Sequence, residues 1–277
     1  MVADGIQSTL KNYSLLITKI ENHTFTSKKL IELQAQLRAK DELASKAIKD
    51  LSNIYGQLEG INNPFGALFF NAAYLYHIHA LNKLKKWKAK YAQQIQNWIP
   101  IIGEFETLNS FANFSYNNPS YTFPTLNNQQ EISFTELGHP LLSDKGRVTN
   151  TVSFDNFKFI ILTGSNMSGK STFLRSLGIN MVLAQAGAPV CAQAATIQPM
   201  PVLVSMRVTD SLGEGESFFF AEVKRLKEIM EAAQGQTSFV LLDEILRGTN
   251  SDDKRTGTVG VIEKMISKSV FWSHCYS

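Results

Sequence analysis

Cysteine is nearly absent from this 277-residue chain: Cys191 and Cys275 are the only two, and neither sits in a C-x-x-C pair. That excludes a disulfide framework and fits a reduced, intracellular compartment, so a cytoplasmic protein is expected. Charge of one sign is also scarce. Twenty-seven Lys and Arg against 24 Asp and Glu leave a net charge of +3, too little to argue for nucleic acid from bulk charge. The first twenty residues lack a basic stretch followed by a continuous apolar core, so no secretory signal is expected. No apolar run has the length of a bilayer crossing. The nearest, residues 65–81, contains Asn71, His77 and His79 and reads as a buried helix, so a membrane partner is not expected. No internal repeat and no low-complexity tract is found.

What is present is ordinary globular material, 44% hydrophobic and 18% charged, in a chain long enough for two domains. Residues 1–112 read as a helical domain. Leu30, Leu37, Ala44, Leu51 and Leu58 recur every seven residues, with Leu33, Ala47 and Ile54 as a partial second seam, which predicts one long helix over 28–58. A second helix is expected over about 66–98, with Leu84, Trp87, Tyr91, Ile95 and Trp98 at helical spacing and Pro100 closing it. Lys83, Lys85, Lys86, Lys88 and Lys90 stud that helix, as a solvated face or as a contact for a phosphate backbone. Residues 101–112 again look helical, and 113–130, rich in Asn, Pro, Ser and Tyr, read as a linker.

From residue 131 to 277 the texture changes. Strands are expected at 131–135, 158–163, 202–207, 238–242 and 269–272. Helices are expected at 171–186, at 218–234 with Phe219, Val223, Leu226, Met230 and Ala233 on one face, and near 255–267. That alternation predicts an α/β domain with a mainly parallel sheet.

The buried-strand run Phe159-Ile160-Ile161-Leu162-Thr163 leads directly into Gly164-Ser165-Asn166-Met167-Ser168-Gly169-Lys170-Ser171-Thr172 and then a helical pattern. This is G-x-x-x-x-G-K-[ST] in its strand–loop–helix setting. Glycines let the backbone wrap close to a polyphosphate, and helix-terminal N–H groups face the anion. Lys170 would bring positive charge to the β and γ phosphates, and the Ser171 hydroxyl is a hard ligand for Mg²⁺. ATP and Mg²⁺ are therefore the expected ligands. A second apolar strand ends in Asp243-Glu244, where one carboxylate would hold the metal and the next would polarise an attacking water.

With both motifs in place, the chain resembles the MutS family of mismatch-repair ATPases. TGSNMSGKST at 163–172 is similar to that family's TGPNMGGKST, and LLDEILRGTNSDD at 241–253 to its LLDEIGRGTST-x-DG. The stretch 210–222 looks like D-x-[LI]-x-x-G-x-S-T-F-x-x-E, and Leu137-Gly138-His139-Pro140 like G-[RK]-H-P without its basic residue. The resemblance implies a P-loop NTPase domain of ABC type at 131–277, ending short of the family's C-terminal helix-turn-helix, after an all-α lever or core domain. It further implies that Asn166 lies beside the γ-phosphate and that Ser217 reaches the nucleotide of a partner subunit in a homodimer. Asp243 would serve Mg²⁺, Glu244 would be the general base, and His274 would sense the γ-phosphate. Arg147 stands in for an adenine-stacking aromatic. Leu246 replaces a usual Gly, Ser165 a Pro, Ser168 a Gly, and Phe218 a Thr. The F-x-E patterns at 134–136 and 220–222 fall inside the ATPase region and are coincidences rather than a mismatch-reading wedge.

The implied function is a MutS-like ATPase that couples nucleotide-driven dimerisation to DNA binding of the mismatch-repair type. The alternative is a nucleotide-dependent ABC-type module that hydrolyses little, or that acts on a membrane or protein partner. GEGESF at 213–218 disfavours the transporter class, which needs an LSGGQ-type signature there.

Overall fold

A computed structural model describes residues 4–39, 42–59, 76–129, 131–154, 159–165, 167–206, 218–246, 251–266 and 271–276. The chain divides into two compact units, 1–110 and 111–277.

The first unit is helical: α1 (Asp4–Asn22), α2 (Lys28–Gln36), α3 (Ala44–Glu59) and the first part of α4 (Tyr76–Asn117). Its core gathers Ile17, Leu33, Leu37, Ala47, Trp98 and Phe105. Two sequence expectations fail here, for different reasons.

The heptad over 28–58 is not one helix. A two-residue antiparallel hairpin, β1 (Arg38–Ala39) with β2 (Glu42–Leu43), separates α2 from α3. Leu37 and Ala44 are both fully buried, as their spacing suggests, but a hairpin brings them together, the Ala44 amide donating to the Leu37 carbonyl at 3.2 Å. Periodicity reports which residues are buried and says nothing about continuity of the backbone. Tertiary bonds favour the break: the Glu42 carboxylate accepts from Lys90 Nζ at 2.6 Å and from the Tyr91 hydroxyl, both on α4.

Pro100 does not close a helix either. It lies inside α4, which continues to Asn117. A mid-helix proline costs about 3 kcal/mol. Buried Trp98 and Ile99's neighbours Ile101, Ile102 and Phe105 flank it, so the apolar burial on both sides offsets that cost. The segment 65–81 lies outside the described residues up to 75. Among the described residues, no helix is long and apolar enough to cross a membrane.

The second unit is mixed α/β. Its first sheet is wholly parallel, in the order β6 (Phe159–Thr163), β10 (Phe271–Tyr276), β9 (Phe239–Asp243), β8 (Val202–Ser205). A second sheet of mixed direction has the order β3 (Thr125–Leu126), β7 (Ala194–Ile197), β4 (Ser133–Leu137), β5 (Asn150–Ser153). The strands β3, β5 and β7 are short and gave no run long enough to stand out in the sequence. Helices α5 (Lys170–Gln185), α6 (Phe218–Ala232) and α7 (Ser251–Ile266) complete the unit.

All five residues of β9 are buried. Alternation along the strand divides them between two cores. Phe239 and Leu241 join Leu174, Leu177 and Met181 of α5, together with Phe134 of the second sheet. Val240 and Leu242 join Leu226 and Ile229 of α6 and Met265 of α7. A central parallel strand covered on both faces reads as an unbroken apolar run, which is why VLL was legible as a strand.

Helix α6 differs from its sequence reading by one step of rotation. Phe219 and Val223 are exposed, whereas Glu222, Leu226, Ile229 and Ala233 are buried. The buried set keeps helical spacing but includes an acid.

Candidate functional site

The two motif segments leave the parallel sheet at the same edge. Cys275 of β10 pairs in register with Leu162 of β6 and with Asp243 of β9, so Leu162 and Asp243 occupy one row, two strands apart. Adjacent strands are spaced by about 4.8 Å, which puts the two backbones about 10 Å apart. Residues in one row share a face, and Asp243 follows Phe239 and Leu241 by steps of two. Its side chain therefore belongs to the α5 face, the face on which the glycine-bracketed loop turns into its helix.

The loop is shaped for that transition. Gly169 caps α5 at φ 92° and ψ 4°, a left-handed conformation that a side chain disfavours, and no side chain caps the helix. The first intrahelical bond runs from the Phe173 amide to the Gly169 carbonyl at 2.9 Å, so the first-turn amides remain available to an anion. A Cβ on Gly164 would come within 3.2 Å of Ser168 Oγ. Lys170 Nζ donates to the carbonyls of Gly164 (2.7 Å) and Ser165 (2.9 Å), folding the ammonium over the loop. Ser171 is half-buried at the same helix end, while Ser165, Met167, Ser168 and Thr172 are exposed.

Asp243 is buried, and among the described residues its Oδ1 has no hydrogen-bond partner. An orphaned buried carboxylate oxygen is costly and needs a compensating positive group. Here it faces the side from which Lys170 and Ser171 emerge, and an oxygen-only donor set of this kind suits a hard divalent cation. Glu244 follows, half-buried, with φ at 48°, and Leu246 has φ at 58°. Directly after β9 the backbone thus passes through two left-handed, non-glycine residues. Such strained positions persist only where the surroundings over-determine them.

One of those surroundings is Glu222, whose Oε1 accepts the Leu246 amide at 2.5 Å from within α6. Sequence reading had no role for this residue. The available signal was a carboxylate four residues before Leu226 on an otherwise apolar helix face.

A second buried polar link holds α5. Asn180, fully buried, donates to the Gly138 carbonyl at 3.0 Å and accepts the Cys191 amide at 2.7 Å. Beside it, the Arg147 guanidinium is spent within its own neighbourhood, on the Tyr121 hydroxyl (3.1 Å), the Leu142 carbonyl (2.7 Å) and Asp144 (2.9 Å). His139 accepts the Leu141 amide on Nδ1 at 3.3 Å. Burial, and then the charges of Arg175 and Arg147, hold its pKa below the ordinary value of 6.5.

Asn166 and Ser217 lie outside the described residues, as does the side chain of His274. The His274 backbone is described: it pairs in register with Leu242 and Ile161, one row before Asp243.

The family profile of MutS domain V matches residues 160–276, from the first residues of β6 to the end of β10. The DNA mismatch repair protein MutS of Streptococcus mutans is 30% identical over 202 residues, 69% of this chain and 24% of that protein. The protein of the same name from Chlorobium phaeovibrioides is 34% identical over 187 residues, covering 65% and 21% respectively. That of Staphylococcus aureus is 31% identical over 204 residues, covering 69% and 23%. The chain therefore spans about a quarter of the length of the curated relatives it matches.

Proposed function

This chain belongs to the MutS family through its residues 160–276, and from that premise we propose that it binds and hydrolyses ATP with Mg²⁺ in an ABC-type P-loop domain. The observation that carries the reading is the orphaned Asp243 oxygen, on the same sheet edge and face as the Lys170 loop.

The division of labour follows from the residues. The first-turn amides of α5 and the Lys170 ammonium bind the phosphates, the lysine exchanging its two loop carbonyls for phosphate oxygens. Ser171 and Asp243 would hold Mg²⁺, which when bound neutralises charge between the β and γ phosphates. Glu244, at the tip of the strained turn, accepts the proton of the attacking water. Asn166 lies beside the γ-phosphate and His274 senses its presence. Ser217 completes the nucleotide site of a second copy, so that ATP drives homodimerisation. The dimer acts on DNA in the manner the relatives' name describes, mismatch repair, with the helical unit as its lever.

The test is ATP binding and turnover by the chain and its variants. Lys170→Ala should abolish ATP binding, and Glu244→Gln should retain ATP while losing turnover by about a hundred-fold or more. Normal ATP affinity in the lysine variant would overturn the reading. Sedimentation with and without ATP reports dimerisation. Gel shifts across a salt series report DNA, with affinity falling steeply as salt rises if phosphates are contacted. ATP binding without turnover in the parent chain would favour the nucleotide-dependent module over the ATPase.

A further inference from the structure

Directly after β9 the chain enters a turn with Glu244 and Leu246 both in the left-handed region. Neither is glycine, so the turn's own backbone preferences work against it. Two outside features hold it. Ile245 and Leu246 are buried in the core between β9, α6 and α7, which anchors the side chains. The backbone is anchored by Glu222, 5% exposed, whose carboxylate accepts the Leu246 amide at 2.5 Å.

The placement of Glu222 is costly enough to need a reason. It occupies the face of α6 that Leu226, Ile229 and Ala233 bury, in a position that an aliphatic residue would fill without a desolvation penalty. A purely structural helix would turn Val223 inward instead. Here Val223 is 40% exposed and the acid is inside.

We propose that Glu222 is a positioning residue for ATP hydrolysis: its buried carboxylate pins the Leu246 amide and thereby aims Glu244 at the attacking water. The proposal rests on Glu244 acting as the base. Because α6 begins at Phe218, directly after Ser217, a shift of that helix is passed to residues 244–246 by this bond together with the packing of Leu226 and Ile229 against Ile245 and Leu246. Glu222 thus links α6, and with it the proposed partner-facing Ser217, to the acid turn. Nucleotide binding does not pass through it, since the phosphate-binding loop belongs to β6 and α5.

Glu222→Leu, Glu222→Gln and Glu222→Asp separate this role from mere packing. Leucine removes the acceptor and keeps the bulk; glutamine keeps an acceptor oxygen at the same reach; aspartate withdraws it by one methylene. Glu222→Leu should lower kcat about ten-fold or more through a displaced base, with KM for ATP changed by less than about two-fold. Glu222→Gln should recover kcat to within about three-fold of the parent. Hydrogen exchange of the peptide containing Leu246, measured without nucleotide, should speed up about ten-fold in Glu222→Leu and stay slow in Glu222→Gln. Should Glu222→Leu fail to fold, Glu222→Asp carries the same expectations for kcat and KM. Unchanged exchange at Leu246, or a glutamine variant as impaired as leucine, overturns the proposal, as does a KM that rises in step with the loss of kcat. Absence of turnover in the parent chain would instead defeat the role of Glu244, and the exchange measurement would still decide whether Glu222 pins the turn.

Discussion

Leu246 stands where the resembling family has glycine, and the structure identifies the compensation. A Cβ built on Gly257 of α7 would sit 2.5 Å from Leu246 Cδ1. Leu246 is 6% exposed, and its backbone is held at φ 58° with its amide bonded to Glu222, so it cannot withdraw freely. Gly257→Ala should therefore destabilise the second unit in the parent chain. Replacing a mid-helix glycine by alanine gains about 0.5–1 kcal/mol, and overpacking a core costs about 1–3 kcal/mol. The net loss is thus up to about 2.5 kcal/mol, or several degrees of Tm for a unit of this size at about 2–4 °C per kcal/mol. In a Leu246→Ala background, itself weakened by about 2–5 kcal/mol through the cavity it leaves, the clash is gone. There the same Gly257→Ala change should stabilise, by the helix gain of about 0.5–1 kcal/mol alone. The double-mutant cycle, read by denaturant unfolding, should give a coupling of about 1–3 kcal/mol with a change of sign between backgrounds. A Gly257→Ala variant equally stable or unstable in both backgrounds would refute the idea that Gly257 makes room for Leu246.

Two further outcomes follow from the site. Gly169→Ala meets no neighbour within 4 Å, so its cost is the left-handed backbone alone, about 1–2 kcal/mol; a Tm unchanged by the substitution would remove the strain argument for the loop. The lowered pKa of His139 means that its neutral form contributes stability fully present above its ordinary value of 6.5 and lost as pH falls below that value towards the lowered folded one. The parent chain should therefore lose more stability than His139→Gln between pH 7 and 5, and parallel Tm curves for the two would contradict the assignment.

How much of this was legible in the sequence depends on which physical signal each feature leaves. Strand β9 stood out because a buried parallel strand is a continuous apolar run. Strand β6 carries a similar run but lies at the end of its sheet with Phe159 and Ile161 exposed, so there the sequence located the strand and misjudged its burial. The glycine-bracketed loop marks where it ends and α5 begins. The break at β1 and β2 left no signal, since Leu37, Arg38 and Ala39 all favour helix while tertiary bonds such as those from Glu42 to α4 favour the break. Pro100 left a misleading one, because local stereochemistry argues for a stop while the flanking apolar residues hold α4 through it. Glu222 was invisible to hydrophobic patterning by construction. A scan for apolar faces rotates the helix by one residue to exclude the acid, whereas in the structure the acid is inside and accepts the Leu246 amide.

That last displacement bears on how such sites should be read. Asp243 and Glu222 are both buried carboxylates near the end of β9, yet the structure treats them in opposite ways. Glu222 has spent an oxygen on a backbone amide, whereas Asp243 Oδ1 has no partner among the described residues. A buried acid that is satisfied holds the fold; one left unsatisfied beside a basic loop is a demand that only a ligand can meet. Motif matching weighs the two carboxylates by family habit alone. Their hydrogen-bond accounts separate a carboxylate that holds the turn from one left for the proposed metal.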